Sequence, residues 1–598
     1  MKSKWYLLFG LVTALAFAVT ACQPAATTTT TTTTGGQTVE LGEKTLTASF
    51  GYGDIPTLDP SKAQDTSSIQ VAIELFPGLT RPDEVSNEDL LGMAAEPWDI
   101  SADGTVYTFK IMEGIPWVKY DEVAGEVVQV LDDEGAPRTV KAQDFEYGFL
   151  RTLDSDVASP YAYVLNFVLA GGDEYNGATT DEERAALRDA VGVKVIDDYT
   201  IQLTFKAPAA YNASIAGMWM GYAQPSWLIE AVGDRWFEPG IIQSYGPYAL
   251  KEWIHDYSAT MIVNPFWPGT DSMPVPKIKE VTFRFLDTPE TFAEYEAGNM
   301  DISAVDTDNL ERVKADPVLS KEYLELPYFC SYYYGFNTTN EPVDDVRVRR
   351  ALSLAVDRKS LVENVLKGGQ QPSQWLENPG LNGAPTLETH PDAGIKYDPD
   401  LAATTLQEYL DEKGVTAASL DITLMFNTSA GHQRIAEALQ LMWKDTLGVD
   451  VKLANQEWAV HLAMMDGPDA TEIFRTGWCL DYADANNFTK DLIALGGSNN
   501  LTSPTAKTVP YGGIQWYNAE YEALITQASA ELDFAKRQDL YAQASTLAMF
   551  DEAVVIPIYW YSRNSMTKPY VVRTFSSGGH EHFEKWDIDL EARAAYNK

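Results

Sequence analysis

Cys330-Ser-Tyr-Tyr-Tyr-Gly-Phe-Asn337 and Arg475-Thr-Gly-Trp-Cys-Leu-Asp-Tyr482 are the stretches on which the reading of this chain turns. The chain has three cysteines, and the first, Cys22, closes an apolar leader. If Cys22 is consumed by lipidation, Cys330 and Cys479 remain as an even pair in an exported protein, where disulfides persist. A bridge between them would hold the tyrosine run beside Asp481. Aromatic walls around one fixed carboxylate suit a cationic head group, such as a free amine.

The leader itself is readable. Lys2 and Lys4 precede an apolar stretch over 5–19, and Val19-Thr20-Ala21-Cys22 then supplies small residues before a cysteine. That is a secretory signal ending in a lipobox, with Cys22 as the acylated N-terminus, so residues 1–22 are read as signal peptide. No other apolar run approaches the ~18–20 residues needed to span a bilayer. Residues 23–44 include eight consecutive threonines, Thr27 to Thr34, followed by Gly35-Gly36, and are expected to form a disordered stalk. The ~550 residues beyond exceed what one hydrophobic core supports, so two or three domains are expected. With 86 acidic against 44 basic residues the net charge is −42, which argues against nucleic acid or anionic lipid as partner.

Along the chain, 50–60 reads as a strand running into a turn. Residues 98–100 and 106–111 read as a hairpin around Asp103-Gly104, and 142–149 as a helix start. An acidic, glycine-containing insert occupies 119–138. Residues 421–426 alternate apolar and polar, as a half-buried strand does. Ile435, Ala438, Leu439, Met442 and Trp443 then fall on one helical face, Gly448 suits the helix stop, and 449–453 resume strand alternation. Strand, helix and strand in ~30 residues form a βαβ unit with parallel strands. His432 falls where its first strand gives way to its helix, the edge at which ligands of open α/β sheets gather. Residues 346–366 read as a helix punctuated at Asp357-Arg358, and 556–561 as a strand returning to the first domain.

These segments together resemble the solute-binding lipoproteins of ABC importers of the oligopeptide/dipeptide class. The cysteine-containing stretches are the most specific part of the likeness, with Asp344-Asp-Val-Arg-Val-Arg-Arg-Ala-Leu-Ser-Leu-Ala-Val-Asp-Arg358 close to a signature in itself. The resemblance implies an α/β, two-lobed periplasmic-binding-protein-like fold of type II with an extra domain, mixed sheets flanked by helices and the ligand buried between the lobes. It implies lobe I over 45–76, 226–329 and 559–598, the extra α/β domain over 77–225 and lobe II over 330–558. By the same resemblance Asp481 pairs with a peptide's α-ammonium, and Trp478, Cys479, Tyr333, Tyr161 and Trp458 line the cavity. Arg475 and His432 match cationic positions that receive ligand carboxylates, and Gln64, Thr66 and Tyr245 belong to the same site. Three departures bear on preference: Met465 replaces a basic residue, Gln64 a glutamate, and Tyr245 an asparagine.

The implied function is extracytoplasmic capture of a short peptide by a lipid-tethered monomer, which hands it to a permease and its ATPase without cofactor, metal or catalysis. An oligosaccharide or a metal chelate on the same fold is the alternative. A secreted hydrolase or a structural surface lipoprotein is a further class. No HExxH, P-loop, GxSxG or CxxC pattern occurs, and His580-Glu-His582 is too little for a metal site.

Overall fold

Tyr323–Phe336 is a fourteen-residue strand, half of it aromatic residues that favour a pleated surface: Tyr323, Tyr328, Phe329, Tyr332, Tyr333, Tyr334 and Phe336. In the computed structural model, which describes residues 31–34, 37–40, 43–50, 53–467, 469–500, 512–531 and 533–596, this strand is central to a seven-stranded sheet. On one side it pairs antiparallel with Ile473–Cys479, and on the other with Val555–Thr567. Beyond Ile473–Cys479 lie the parallel strands Ile422–Asn427 and Val451–Gln456, joined by the helix Ala430–Leu447. The βαβ unit is therefore present. Ile435, Leu439, Trp443 and Leu447 form the helix's buried stripe, with Ala436 taking the buried place expected of Ala438. Gly448 closes the helix in the left-handed region at φ 71°.

Register brings Cys330 directly opposite Cys479, and the two are disulfide-bonded. The expected pairing is borne out.

A second sheet orders Tyr248–Ile254, Ser258–Val263, Glu280–Arg284 and Thr45–Ser49, the last joining parallel. The opening strand thus precedes 50–60 rather than occupying it. The third sheet holds the expected hairpin, with Asp99–Ile100 against Val106–Lys110 and Gly104 at φ 74° in its turn. It continues through Thr200–Thr204 and Val193–Asp197. The helix Ala142–Leu153 packs on it through Phe145, Phe149 and Leu153, all fully buried. The insert at 119–138 is a hairpin, Val118–Asp121 with Glu126–Gln129, tied to the body by a bridge from Val118 to Ser244. Asp154 and Asp156 are held by Arg184.

Thr31–Thr34 and Gln37–Glu40 pair antiparallel, within the stretch expected to be a disordered stalk. β-Branched threonine favours strand. Cys22 and the leader lie outside the described residues.

Tyr323–Phe336 and Val555–Thr567 run unbroken through the boundaries expected at 329/330 and 558/559. Their ladder is interrupted there, with register lost between Pro327 and Ser331. The strand 556–561 does not return to another sheet but completes this one. Buried ion pairs fix the rest: Asp59 takes both ends of the Arg151 guanidinium at 2.7 Å, and Asp484 does the same for Arg537 at 2.7 and 2.8 Å.

The cross-link closes a loop of sequence separation 149. Chain-entropy arguments put its contribution at about 5 kcal/mol. The Cys330→Ser/Cys479→Ser double variant is expected to unfold at clearly lower urea concentration, and an unchanged midpoint would show the cross-link to be dispensable for stability.

Candidate functional site

The strand Ile473–Cys479 divides its side chains between two faces, and this alternation sorts the expected site residues. Arg475 lies opposite Tyr334, and Cys479 opposite Cys330, so Arg475, Tyr332 and Tyr334 share one face. Trp478 pairs with Ser331 and Thr476 with Tyr333, which puts Trp478 and Tyr333 on the other.

At the carboxylate end, Asp481 follows the strand and meets Tyr161 across the interior. The Tyr161 hydroxyl donates to Asp481 Oδ1 at 3.4 Å, and its ring stacks on Trp478 with centroids 6.2 Å apart and planes 11° off parallel. A second stack, Tyr211 on Tyr482, lies beside it at 5.1 Å. Asn487 is the organising group: its Oδ1 accepts from Trp478 Nε1 and from the Asp481 backbone N–H, both at 3.0 Å. Its Nδ2 donates to Asp481 Oδ2 at 3.0 Å and Asp491 Oδ2 at 3.3 Å. Asn487 and Asp491 are four apart on the helix Asn486–Ile493 and so share a face. Burial pushes the Asp481 carboxyl up to about 8, with the Asp491 charge adding to it, and burial raises Asp491 to about 6. The sequence reading missed Asn487 and Asp491; their helical spacing just after Asp481 was the available signal.

At the other end Arg475 is buried in a tyrosine cage. Its guanidinium donates to Asn427 Oδ1 at 3.1 Å and to the Tyr561 hydroxyl at 3.0 Å, and lies 4.6 Å from the Tyr332 ring centroid. Its Nε has no partner, and no carboxylate pairs with it among the described residues. His432 Nδ1 sits 3.2 Å from the Tyr332 hydroxyl. Desolvation first, and then Arg475, hold this imidazole well below its usual range. His432 is therefore neutral at neutral pH, and the expectation of a second cation is corrected.

Tyr333 shares the Trp478 face and is fully buried with its hydroxyl on Asn499, while Tyr332 stands on the Arg475 face. One more expectation is corrected. Tyr245 is fully buried in the core, donating to Pro77 O at 2.9 Å, accepting from Ala223 N and packing edge-on against Trp117 and Phe76. Trp458 opens the helix Trp458–Met465 with its ring stacked near His461. Thr66 begins the helix Thr66–Leu75. Gln64, just before it, hydrogen-bonds Asp466, at the end of the Trp458 helix. Glutamine suits that partner, since a glutamate there would set two acids together.

Glu74, His582 and Glu584 bring ligand-capable atoms within 4.8 Å of one another. Arg81 occupies their midst, bonding Glu584 Oε1 at 2.9 Å and lying against His582 Nδ1. Arginine only donates, so Nδ1 accepts and the ring proton sits on Nε2. No ring lone pair remains for a metal. Burial, reinforced by Glu584, raises Glu74 well above the usual carboxylate range. The cluster fastens the C-terminal segment to the helix Thr66–Leu75.

The profile of the Bacterial extracellular solute-binding proteins, family 5 Middle, matches residues 90–500. This chain belongs to that family. It is 30% identical over 575 residues to the oligopeptide-binding protein OppA of Bacillus subtilis (strain 168), covering 94% of this chain and 95% of that one. The structure of the Escherichia coli murein tripeptide binding protein MppA superposes with a TM-score of 0.76 at 25% identity, over 92% of this chain and 99% of that one. Against MppA in its unliganded open form the TM-score is 0.57, at the same 25% identity and over 92% and 98% of the two chains. The fold is thus the two-lobed type II binding-protein fold.

Burial raises Asp466 to about 7, with the Gln64 hydrogen bond acting the other way. A carboxyl with a raised folded-state value costs stability progressively as pH rises from its unfolded value of about 4 to its folded one, and the full cost stands above that. Asp466→Asn is therefore expected to stabilise the protein at pH 8, on the order of 1–2 kcal/mol after allowing for partial solvent access, and to be close to neutral only at about pH 4. Thermal melts at the two pH values decide it, and equal effects at both would dissociate Asp466 from the pH response.

Proposed function

We propose that this protein is the extracytoplasmic binding component of an ABC importer, capturing short peptides between its lobes and delivering them to a membrane permease. One observation carries the reading: a recessed carboxylate, Asp481, and a buried guanidinium, Arg475, stand at separate points of one strand segment, neither paired with an opposite charge among the described residues. A buried cation at one end and a carboxyl without a cationic partner at the other, able to ionise against an ammonium, complement a zwitterion in extended form. Asp481 is six positions beyond Arg475, a Cα span of at most roughly 20 Å at strand rise. The reach of the arginine shortens it, which suits peptides of roughly three to five residues. An oligosaccharide would leave both charges unanswered.

Closure is assigned to the paired strands Tyr323–Phe336 and Val555–Thr567, whose ladder loses register between Pro327 and Ser331. The ladder to Val555–Thr567 is broken at that point, where Phe329 bonds Ser577 and Leu480 instead, and a broken ladder can absorb rotation of one lobe on the other. Tyr161 on Trp478 and Gln64 on Asp466 are the contacts that opening would break. The groups gathered here bind ends and stack on side chains, and we assign no catalytic step to them.

If Asp481 receives the ligand's amine, Asp481→Ala strands a buried ammonium and should weaken binding by ~2–5 kcal/mol. An N-acetylated tripeptide should bind the unaltered protein poorly and lose little more in the variant. Calorimetry with the free and acetylated forms is the test; equal affinities for the two would give precedence to a ligand without an amine.

The lipid tether belongs to this proposal as well. Cys22→Ser should move the protein from the membrane fraction to the soluble one with ligand affinity unaltered. Continued retention on membranes would remove the lipoprotein assignment.

A further inference from the structure

The arrangement around Asp481 is unusual for a group meant to be an anion. Two carboxylates, Asp481 and Asp491, are bridged by one neutral amide, Asn487. No lysine or arginine lies within ion-pair distance of either among the described residues. The groups facing them are known element by element. Tyr161 and Tyr163 approach from 161–168, both kept protonated by burial. Tyr482 donates its hydroxyl to Asp491 Oδ2. Lys490 leans away over the Phe167 ring at 5.0 Å, and its ammonium is weakened by burial. On the far side of Asp481 lies a cavity of about 60 Å³, with Trp219, Leu480, Asp89, Arg81, His580 and His582 among its walls. Arg81 is already engaged by Glu584. Desolvation first, and nearby cations second, hold both histidines below their usual range, so they are neutral there. Two buried like charges without a counter-ion are not sustainable, because desolvation of an unpaired carboxylate costs several kcal/mol.

We infer that ligand capture is proton-coupled: the empty site holds a proton on Asp481, and the ammonium of the arriving ligand takes its place. The exchange balances simply. The O–H bond of the Asp481 carboxyl breaks, the proton passes to water, and the carboxylate pairs with the ammonium, whose own N–H bonds stay intact. The cavity gives the proton a way out, since it has room for roughly two waters, and Asp89, on its wall, is itself raised to about 6 by burial. Asn487 and Asp491 are positioning residues in this scheme. Asn487 fixes the Asp481 carboxyl, and the charge on Asp491 makes the proton harder to give up until a cation arrives.

The inference rests on the peptide reading above, and its consequence is a sign change. Below pH 8 the carboxyl is protonated and the ligand's amine is charged, so binding releases a proton. Above pH 8 the free α-amine, with an ordinary value of about 8, has lost its proton, and binding takes one up. Affinity should therefore improve ~tenfold per pH unit from pH 6 to pH 7, then turn over near pH 8.

Tri-alanine, with tri-lysine if the first gives no heat, is titrated into the full protein at pH 6.5 in phosphate and in Tris. The difference in observed enthalpy between the buffers counts protons. Nearly one released at pH 6.5, none near pH 8 and uptake at pH 9 is the expected series. Binding without proton release at pH 6.5 overturns the inference and leaves the peptide reading standing. Absence of binding by both peptides at every pH removes the peptide reading and the inference with it. Asp481→Asn, checked for an unchanged thermal melt, should bind more weakly with no proton release and no pH dependence between 6 and 7.5; release that persists places the proton elsewhere and overturns the assignment. Asp491→Asn should move the crossing point to lower pH, and a crossing point that stays put refutes the part given to Asp491.

Discussion

The register between Tyr323–Phe336 and its two antiparallel neighbours is the constraint on which the molecule depends. Once Cys330 stands opposite Cys479, alternation decides the rest of the local arrangement: Arg475 and Tyr332 fall on one face, Trp478 and Tyr333 on the other. A slip of one residue would exchange the faces and bury the guanidinium where Trp478 now packs. The disulfide locks the register at the place where the other ladder, to Val555–Thr567, is interrupted. Rigidity on one edge and broken pairing on the other give a strand that holds half the site fixed while permitting movement nearby. Asp481 is fixed relative to this frame by Asn487, which reads both its backbone N–H and its carboxylate.

Much of the architecture was legible in the sequence because it rests on local periodicity. The βαβ unit over 422–456, the hairpin at Gly104 and the helix Ala142–Leu153 follow from patterns of period 2 and 3.6 closed by glycine. The cysteine pair was legible for a different reason, that two cysteines remain once the leader is set aside. Side-chain direction was not legible where neighbours in sequence differ in face. Three consecutive tyrosines gave no means of telling that Tyr332 and Tyr334 share the face of Arg475 while Tyr333 shares that of Trp478, and only the register does so. Tyr245 was misassigned because a substitution of asparagine by a large aromatic changes which environment the position can occupy. Its ring is satisfied by Trp117 and Phe76, and its hydroxyl by backbone. Protonation was equally out of reach. His432 reads as a cation on paper, and its charge is suppressed by burial and by an arginine that the fold brings beside it.

The Gln64–Asp466 contact shows how two departures from the family pattern belong together. With an acid at Asp466, a second acid at position 64 would have to share a proton in a buried place, whereas an amide can donate outright. Met465, next to it, is buried, so the cation expected at that position has no counterpart to balance. Glutamine, aspartate and methionine thus form one self-consistent corner, with one cation and one anion fewer than the family pattern. A ligand end placed there would meet neutral hydrogen-bonding groups.

Uncompensated charge has an energetic meaning in a binding protein. Arg475 in its cage and the carboxyl at Asp481 are groups whose solvation has been removed and not replaced by an opposite charge among the described residues, a cost of several kcal/mol. In the proposed reading, opening would restore water to them and a zwitterionic ligand would restore opposite charge. Closure would then favour a ligand with both ends, since a singly charged molecule leaves one cost standing and a neutral one leaves both. The stacked rings, Tyr161 on Trp478 and Tyr211 on Tyr482, contribute contact that is indifferent to side-chain identity. Selectivity for the ends and tolerance between them then come from separate physical terms, one electrostatic and local, the other dispersive and spread along the cleft. In the proposed reading, that division would let one fold accept many sequences while disfavouring solutes that lack an amine.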